Sequence, residues 1–488
     1  MSGEATSRQD DRRFWILVAA VEVVVLLAAF RSPLVAAALA GGVGVLALLS
    51  LLVGTRRGTL LIGGFLIVVT IVLPEDLALQ YRLPVAGGGI FIVDFLLALL
   101  LASVVVFVLV QGRLQMVKSP LGLPMLLLLG WVVVAALIGY QRGNELKLIL
   151  QDARSLSYYA LFFFAVILVT DRRTILSFLR LLAVCVPVVF ALGVIFAAQG
   201  QGMAVDYVEA GVSRFPAPDD VFLMSSAMVA SFLVVWASSR RRPRWLWSLL
   251  VISLLGLVLS FVRGNWVAFV ASLFYLLLVL RVRERMRLVA GVLVLACLLT
   301  AGMAIVRPAL LRSVVSRALA VTAVQDRNVQ WRLIENKAVG QQIKQSPLLG
   351  NGLGKDYLFD WSRYGVAPYY KTYIHNDYYW FVHRLGIVGL GLFLWLAIAY
   401  LVPWMRYRQT LPRDDPWLVG LVYGGRAMFV ALLVNSVTSP RLSAKLSVTV
   451  LALVMGMSEV ALGLLRQRSA AEAALAAGTP TEEASGSG

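Results

Sequence analysis

Long apolar runs are the feature that most constrains the fold of this 488-residue chain. A helix needs about 20 predominantly apolar residues to cross the hydrocarbon core of a bilayer, and fourteen runs come close to or exceed that length. Hydrophobic residues make up 60% of the chain and charged residues 14%, which leaves too little polar surface for a water-soluble protein of this size. The runs are Phe14–Phe30, Leu34–Val53, Thr59–Leu73, Ile90–Val110, Leu121–Tyr140, Ser155–Val169, Ile175–Ala198, Val221–Ala237, Trp245–Phe261, Trp266–Leu280, Leu288–Val306, Leu385–Trp404, Trp417–Val437 and Leu446–Leu465.

The order of these runs predicts an all-α polytopic membrane protein with about 12–14 transmembrane helices. Lys and Arg are concentrated in alternate short loops, so we expect both termini to lie in the cytoplasm. We predict a cytoplasmic N-terminus over residues 1–13, eleven spans over 14–306, and a long outer segment with short helices over 307–384. Three further spans over 385–465 and a disordered cytoplasmic tail over 466–488 complete the predicted layout.

The charge of the chain excludes one class of partner. Although the net charge is +18, the basic residues punctuate the apolar runs and do not cluster on a soluble face, so a nucleic-acid partner is not expected. Cys185 and Cys297 both lie inside apolar stretches and lack the spacing of a metal or redox motif. The outer segment contains no carboxylate cluster with metal-ligand spacing, so neither a metal nor another cofactor is expected.

The outer segment contains a helical pattern followed by a glycine-rich stretch. The apolar residues of Val329–Val339 recur at helical spacing, which predicts a helix lying on the membrane surface or on the bundle. Pro347–Gly354 is dense in glycine, but it lacks the spacing of a phosphate-binding P-loop, and Asp356 stands where that motif requires Ser or Thr. A turn is therefore favoured over a nucleotide site.

His375 is one of only two histidines in the chain. It lies beside Asn376 and Asp377 at the entrance to a span, and these neighbours suit a general base. The alternative is a histidine on a surface loop without a chemical role, among the aromatic residues that commonly line a membrane interface. For His383, eight residues further on, we favour an interfacial position.

Three arginines of the predicted outer face, Arg154, Arg214 and Arg263, lie close to span ends. An arginine near the bilayer is costly unless it is paired or faces a watery cavity, so these side chains indicate an anion site. The alternative is that each reaches out to lipid phosphate. A separate set of polar residues within the spans could pair with one another or line a groove for a lipid substrate, and comprises Glu22, Asp94, Arg180, Arg426 and Glu459.

Several of these segments together resemble the bacterial O-antigen ligases and the related O-antigen polymerases. His375-Asn376, followed after nine residues by Gly386 and after two more by Gly389, is similar to the histidine motif of the family. Leu259–Ala268 resembles its arginine-bearing segment that opens a span, and Ser213–Asp220 resembles its arginine loop. Trp331-Arg332 followed by Pro347–Gly354 resembles the outer segment that leads to the histidine.

The resemblance implies a GT-C-like glycosyltransferase of the bacterial inner membrane that is metal-independent and inverts the anomeric centre on the periplasmic face. Its donor would be a glycan linked to undecaprenyl diphosphate. Its acceptor would be lipid A–core in a ligase and another repeat unit in a polymerase, with membrane lipids as further partners. Arg154, Arg214 and Arg263 would bind the diphosphate, with Arg263 also catalytic, and His375 would be the base. Asn376, Asp377 and Arg332 are secondary candidates.

A transporter of polysaccharide or lipid is the competing interpretation. Transporters concentrate polar residues near the midplane of the membrane, whereas the residues singled out here lie at one interface, which favours the enzyme.

Overall fold

The computed structural model describes residues 55–73, 82–85, 88–111, 119–201, 203–204, 213–237, 243–306, 308–319, 327–360, 362, 367–408 and 410–476. The chain divides into two compact units, Met1–Gln115 and Met116–Gly488. Among the described residues, eight helices are long and apolar enough to cross a membrane, which confirms an all-α polytopic membrane protein. They are Val93–Val110, Gly122–Gln141, Arg172–Ala198, Asp219–Trp236, Val282–Ile305, Asp377–Arg406, Pro416–Asn435 and Lys445–Glu472.

In the first unit, a short hairpin separates two helices. Thr55 caps α1 (Arg56–Val72), because its hydroxyl accepts a hydrogen bond from the backbone N–H of Gly58 at 3.3 Å. Strands β1 (Arg82–Val85) and β2 (Gly88–Phe91) pair antiparallel and lead into α2 (Ile92–Gln111). The hydroxyls of Thr59 and Ser103 lie 2.7 Å apart and join α1 to α2.

The second unit holds all the elements that surround His375. In chain order they are α3 (Gly122–Gln141), α4 (Leu146–Ser157), a 3-10 turn (Tyr158–Ala160), α5 (Leu161–Leu168), α6 (Arg172–Ala198), β3 (Met203–Ala204), β4 (Ser213–Arg214), α7 (Asp219–Trp236), α8 (Trp245–Leu259), α9 (Arg263–Val279), α10 (Val282–Val306), α11 (Pro308–Leu319), α12 (Arg327–Ile343), β5 (Tyr357–Phe359), β6 (Tyr369–Lys371), α13 (Asp377–Leu401), a 3-10 turn (Pro403–Arg406), α14 (Pro416–Asn435) and α15 (Lys445–Ala476). Strands β3 and β4 pair antiparallel, as do β5 and β6.

The core of the second unit forms around α7 and α14, which pack against each other along most of their length. Small residues on α14 permit this close approach, since a Cβ added at Gly420 would lie 2.3 Å from the ring of Phe232. About four fifths of the spanning windows of α7, α14 and α15 are buried, whereas only 6% of the window in α10 is buried. The apolar outer surface of α10 is what a helix facing lipid requires.

Eight of the fourteen predicted runs coincide with these long apolar helices in the described part of the chain. The runs Phe14–Phe30 and Leu34–Val53, with Glu22, lie outside them. Helices α1, α8 and α9 are shorter than the eight spans. The predicted run Ser155–Val169 is not one helix, because α4 continues to Ser157 and the 3-10 turn separates it from α5.

Two predicted boundaries also shift. The twelfth run was expected to begin at Leu385, but α13 begins at Asp377 and is kinked at Gly386, whose φ is 71°. The first two turns of α13 therefore belong to the segment predicted to lie outside the membrane. At the C-terminus, α15 continues to Ala476 and so enters the segment predicted to be disordered; residues 477–488 lie outside the described range.

Candidate active site

A buried polar network around Asp377 joins the ends of several helices of the second unit. We call this end of the unit, at which α13 begins two residues after His375, the His375 end. The carboxylate of Asp377 accepts hydrogen bonds from the backbone N–H groups of Arg441 and Leu442, both at 2.6 Å, and from the hydroxyl of Ser443 at 2.5 Å. Its own N–H donates to the carbonyl of Ser436 at 2.8 Å. Asp377 thus ties the start of α13 to the end of α14 and to the loop that precedes α15.

Arg441 extends this network to the starts of α7 and α9. Its guanidinium binds Asp219 at 2.7 Å and also contacts Asp220. The same guanidinium donates to the side-chain oxygen of Asn265 at 3.2 Å, and Asn265 in turn donates to Asp219 at 2.6 Å. Through these hydrogen bonds the network fixes where α9 begins, and Arg263 is the first residue of that helix.

His375 lies against a buried carboxylate that is 40 residues away in sequence. Its Nδ1 is 3.0 Å from Oε2 and 3.1 Å from Oε1 of Glu335, and its backbone N–H donates to Oε1 at 2.5 Å. Lys371 Nζ binds Oε2 of the same carboxylate at 2.5 Å. The side chain of His375 is 26% exposed and that of Glu335 is fully buried, so only the imidazole is accessible to a ligand.

The hydrogen bonds received by Glu335 keep it ionised. Burial by itself raises the pKa of Glu335, but the hydrogen bonds from His375 and Lys371, together with the charge that His375 carries when it is protonated, outweigh burial and bring the pKa to about 2. The ring of Tyr373 packs edge-on against the imidazole of His375, with 4.8 Å between ring centroids. The imidazole is therefore held on two sides, by the carboxylate and by the tyrosine ring.

Two further arginines act electrostatically on Arg332, which precedes Glu335 by three residues. Burial lowers the pKa of Arg332, and the charges of Arg263 and Arg214 lower it further, whereas the charge of Glu335 raises it. Arg214 and Arg263 therefore lie within electrostatic reach of Arg332, although the three arginines come from β4, α9 and α12. The cluster is thus rich in positive charge, as an anion site requires.

The remaining candidate arginine, Arg154, lies on α4. It is not among the charges that act most strongly on Arg332. Two residues before it, Asp152 binds Arg384 of α13 at 3.1 Å and accepts a hydrogen bond from the N–H of Gly354 at 2.8 Å. Helix α4 is therefore joined to the segment that carries His375, through a residue that the sequence did not single out.

Asn376 and Asp377 have structural contacts in this arrangement. Asn376 caps α13, because its side-chain oxygen accepts hydrogen bonds from the N–H groups of Tyr378 at 3.0 Å and Tyr379 at 3.3 Å. Both residues hold the backbone on which His375 is placed. The other histidine, His383, was expected at the membrane interface, but it is fully buried and its Nε2 lies 2.6 Å from the side-chain oxygen of Gln342.

The glycine-rich stretch Pro347–Gly354 is a packed turn, as predicted. Gly350 has a φ of 74°, and a Cβ added there would lie 2.4 Å from the backbone nitrogen of Gly386. A Cβ added at Gly352 would lie 2.3 Å from the backbone nitrogen of Gly139 in α3. Because these glycines lack a side chain, the turn can contact the backbones of α3 and α13. In α13 the contact is at Gly386, where that helix is kinked.

An apolar cavity of about 480 Å³ lies between α7, α8, α9 and α10. Trp266, which is three residues after Arg263, lines the cavity near the start of α9, and Arg287 lines it near the start of α10. The remaining lining is almost entirely aliphatic and aromatic. The cavity is therefore suited to an apolar ligand such as a hydrocarbon chain.

The polar residues within the spans separate into different environments. Arg426 and Glu459 pair with each other at 2.6 Å, which is one of the two outcomes considered from sequence. Arg426 is also held by the carbonyls of Tyr400 and Val422, both at 3.1 Å. Among the other members of this set, Arg180 is exposed and Asp94 is half-buried in the first turn of α2. Within the described ranges, no group of three or more His, Cys, Asp or Glu residues could hold a metal ion.

Sequence reasoning missed Glu335, Lys371 and Arg441 as members of these networks. Glu335 stands inside the predicted amphipathic helix, where a lone glutamate is read as a solvated residue. Glu335 is buried on the same side of the helix as Val339, four residues later, and this burial is seen only in the folded chain. Lys371 and Arg441 carry no motif of their own.

Comparison with known families gives one match. Residues 248–394, less than a third of the chain, match the family model described as O-Antigen ligase. The matched range includes Arg263, Arg332, Glu335 and His375, while Arg154 and Arg214 lie before it. The match confirms the resemblance to the O-antigen ligase and polymerase family and indicates a glycosyltransferase of the ligase or polymerase type. No curated protein matches the chain.

Proposed function

Taking residues 248–394 as an O-antigen ligase domain, we propose that this chain is an O-antigen ligase-type glycosyltransferase. It would transfer a glycan from undecaprenyl diphosphate to a sugar hydroxyl of lipid A–core on the periplasmic face of the inner membrane, with both termini in the cytoplasm. The observation that carries this proposal is the position of His375. Its accessible imidazole contacts the buried carboxylate of Glu335, and the charge of that carboxylate acts on Arg332 together with the charges of Arg263 and Arg214.

The arginine cluster supports a diphosphate as the charged part of the donor. Guanidinium groups bind phosphate oxygens through two parallel hydrogen bonds and remain charged at any working pH. Arg332 is acted on by the charges of Arg263 and Arg214 as well as by Glu335, and Glu335 already receives hydrogen bonds from His375 and Lys371. A bound diphosphate would pair with these guanidinium groups, and the same groups would stabilise the charge that grows as it leaves.

The apolar cavity supports a lipid as the remainder of the donor. A prenyl chain gains roughly 0.8 kcal/mol for each methylene group moved out of water, so a carrier lipid needs an apolar environment next to the site that holds its diphosphate. The cavity between α7, α8, α9 and α10 meets this need, because Trp266 lines it within one turn of Arg263.

The chemistry assigned to the site is a single displacement. The acceptor oxygen forms a bond to the anomeric carbon while the bond from that carbon to the diphosphate oxygen breaks. The electron pair of the broken bond leaves with undecaprenyl diphosphate, and the proton of the acceptor hydroxyl passes to Nε2 of His375. Attack from the face opposite the leaving group inverts the anomeric centre. A positioned base of this kind contributes about 10²- to 10⁴-fold to the rate.

Reconstitution tests the proposal and separates it from the polymerase alternative. Purified protein in liposomes is given a glycan linked to undecaprenyl diphosphate together with either lipid A–core or a second carrier-linked unit, in buffer containing EDTA. We expect glycan transfer to lipid A–core, undiminished by the chelator. Elongation of the carrier-linked glycan without the core acceptor would identify a polymerase, and transfer that stops with EDTA would contradict a metal-independent mechanism.

A further inference from the structure

We propose that Glu335 is a positioning residue that holds the proton of His375 on Nδ1 and so leaves Nε2 as the only basic nitrogen facing the ligand. The inference deepens the proposed function, because it depends on His375 acting as the base. It concerns a residue that no sequence motif marks.

The geometry around the imidazole supports one tautomer. Both carboxylate oxygens of Glu335 lie within 3.1 Å of Nδ1, and an ionised carboxylate can only accept hydrogen bonds. A neutral imidazole beside it must therefore carry its proton on Nδ1, which leaves a lone pair on Nε2. The backbone N–H of His375 donates to the same carboxylate at 2.5 Å, so the main chain and the ring are fixed by one group.

Glu335 itself cannot be the base that contacts the acceptor. Its side chain is fully buried, whereas that of His375 is 26% exposed. Lys371 Nζ binds Oε2 at 2.5 Å and lies 5.2 Å from the ring centroid of Trp331 and 5.1 Å from that of Phe359. The lysine thus contributes a second donor that keeps the carboxylate oriented toward His375. In this arrangement the carboxylate acts on the reaction only through the imidazole.

Ionised Glu335 also offsets the charge that His375 acquires during transfer. When the acceptor proton moves to Nε2, the imidazole becomes a cation. The carboxylate of Glu335, 3.0 Å from Nδ1, stabilises that cation, as the buried aspartate does in the Ser-His-Asp triad. Without it, the cation would form with no carboxylate in contact with Nδ1.

The variant Glu335→Gln separates positioning from packing. Glutamine has nearly the same size, but its single carbonyl oxygen cannot accept from the backbone N–H of His375, from Nδ1 and from Lys371 as the carboxylate does. Its NH₂ group would face Nδ1 and favour the tautomer with the proton on Nε2. We expect kcat to fall by about 10²- to 10⁴-fold, with KM for the donor changed by less than about threefold. Glu335→Asp keeps the carboxylate and should restore part of the loss.

The matched control is Asp360→Asn, which removes one negative charge from an exposed residue of the same outer segment and should leave kcat unchanged. The second readout is nitrogen NMR of ¹⁵N-histidine protein at a pH at which the imidazole is neutral. The chain has only two histidines, so the spectrum of His375→Ala assigns the signals. Wild-type His375 should be protonated on Nδ1, and the glutamine variant should shift toward Nε2.

The outcomes distinguish this inference from the proposed function. If His375→Ala still transfers glycan, His375 is not the base, and the role proposed for Glu335 is wrong as well. If His375→Ala is inactive but Glu335→Gln retains wild-type kcat, only the positioning role is overturned. Should the glutamine variant fail to fold, the wild-type spectrum still decides, because a proton on Nε2 of His375 would overturn the inference.

Discussion

Arginine serves different purposes at the two ends of the second unit. At the end where α14 begins, Arg172 binds Asp415, Arg413 binds Glu284 at 3.1 Å, and the carboxylates are almost fully buried. At the His375 end, the charge of Arg332 interacts with two further guanidiniums and with a carboxylate that already has other donors. The first arrangement is a set of ion pairs between helix ends. In the second, Arg441 is paired with Asp219 and Asp220, whereas Arg332 lies within electrostatic reach of two other guanidiniums and of Glu335, a grouping that suits the binding of an anion.

The largest effect that follows from this comparison is at Arg263. We expect Arg263→Ala to lower kcat/KM for transfer by about 10²- to 10³-fold, because one donor to the developing charge is lost. Arg263→Lys should recover only part of it, since an ammonium cannot form the two parallel hydrogen bonds of a guanidinium. Initial rates in the liposome assay measure both variants, and a fully active lysine variant would contradict bidentate binding.

A smaller effect is expected in the apolar cavity between α7, α8, α9 and α10. Val270 of α9 lines the cavity and is 48% exposed, so Val270→Trp should fill space without overpacking the core. We expect KM for an undecaprenyl-linked donor to rise about tenfold with kcat little changed, because the loss is in ground-state binding of the tail. A donor with a much shorter prenyl chain should be less affected. Equal effects on both donors would contradict the placement of the tail.

The smallest effect on transfer is expected at the opposite end. Arg413→Met removes the partner of buried Glu284, so the variant should lose about 1–3 kcal/mol of stability. Because this pair lies at the other end of α14 from the His375 end, kcat should stay within about twofold of wild type. Thermal unfolding in detergent measures the loss of stability, and the transfer assay measures kcat. A loss of kcat like that of Arg263→Ala would remove the distinction between the two ends.

Apolar runs were enough to predict most helices, because a bilayer requires long apolar segments whatever their neighbours. The prediction failed where local structure depends on contacts. The run Ser155–Val169 is interrupted at Tyr158–Ala160, although no Pro or Gly marks the break. The kink of α13 at Gly386 lies against the turn around Gly350, and this contact joins two segments that were predicted independently from the sequence.

The candidate site was predicted only where a residue belongs to a motif. His375, Arg214, Arg263 and Arg332 were all singled out from sequence, and Arg214 and Arg263 lie within electrostatic reach of Arg332. Glu335 was not singled out from sequence, because its role depends on a contact with His375, which is 40 residues away in the chain. The same holds for Arg441, whose carboxylate partner Asp219 is 222 residues away in the chain. Whether His375 is the base remains a prediction.

The most direct test of the account is the chemical step of His375→Ala in liposomes, compared with wild type at saturating donor and acceptor. We expect the variant to fold, to bind the carrier-linked donor with unchanged affinity, and to transfer glycan about 10²- to 10⁴-fold more slowly. Wild-type rates of transfer from a correctly folded His375→Ala protein would contradict it.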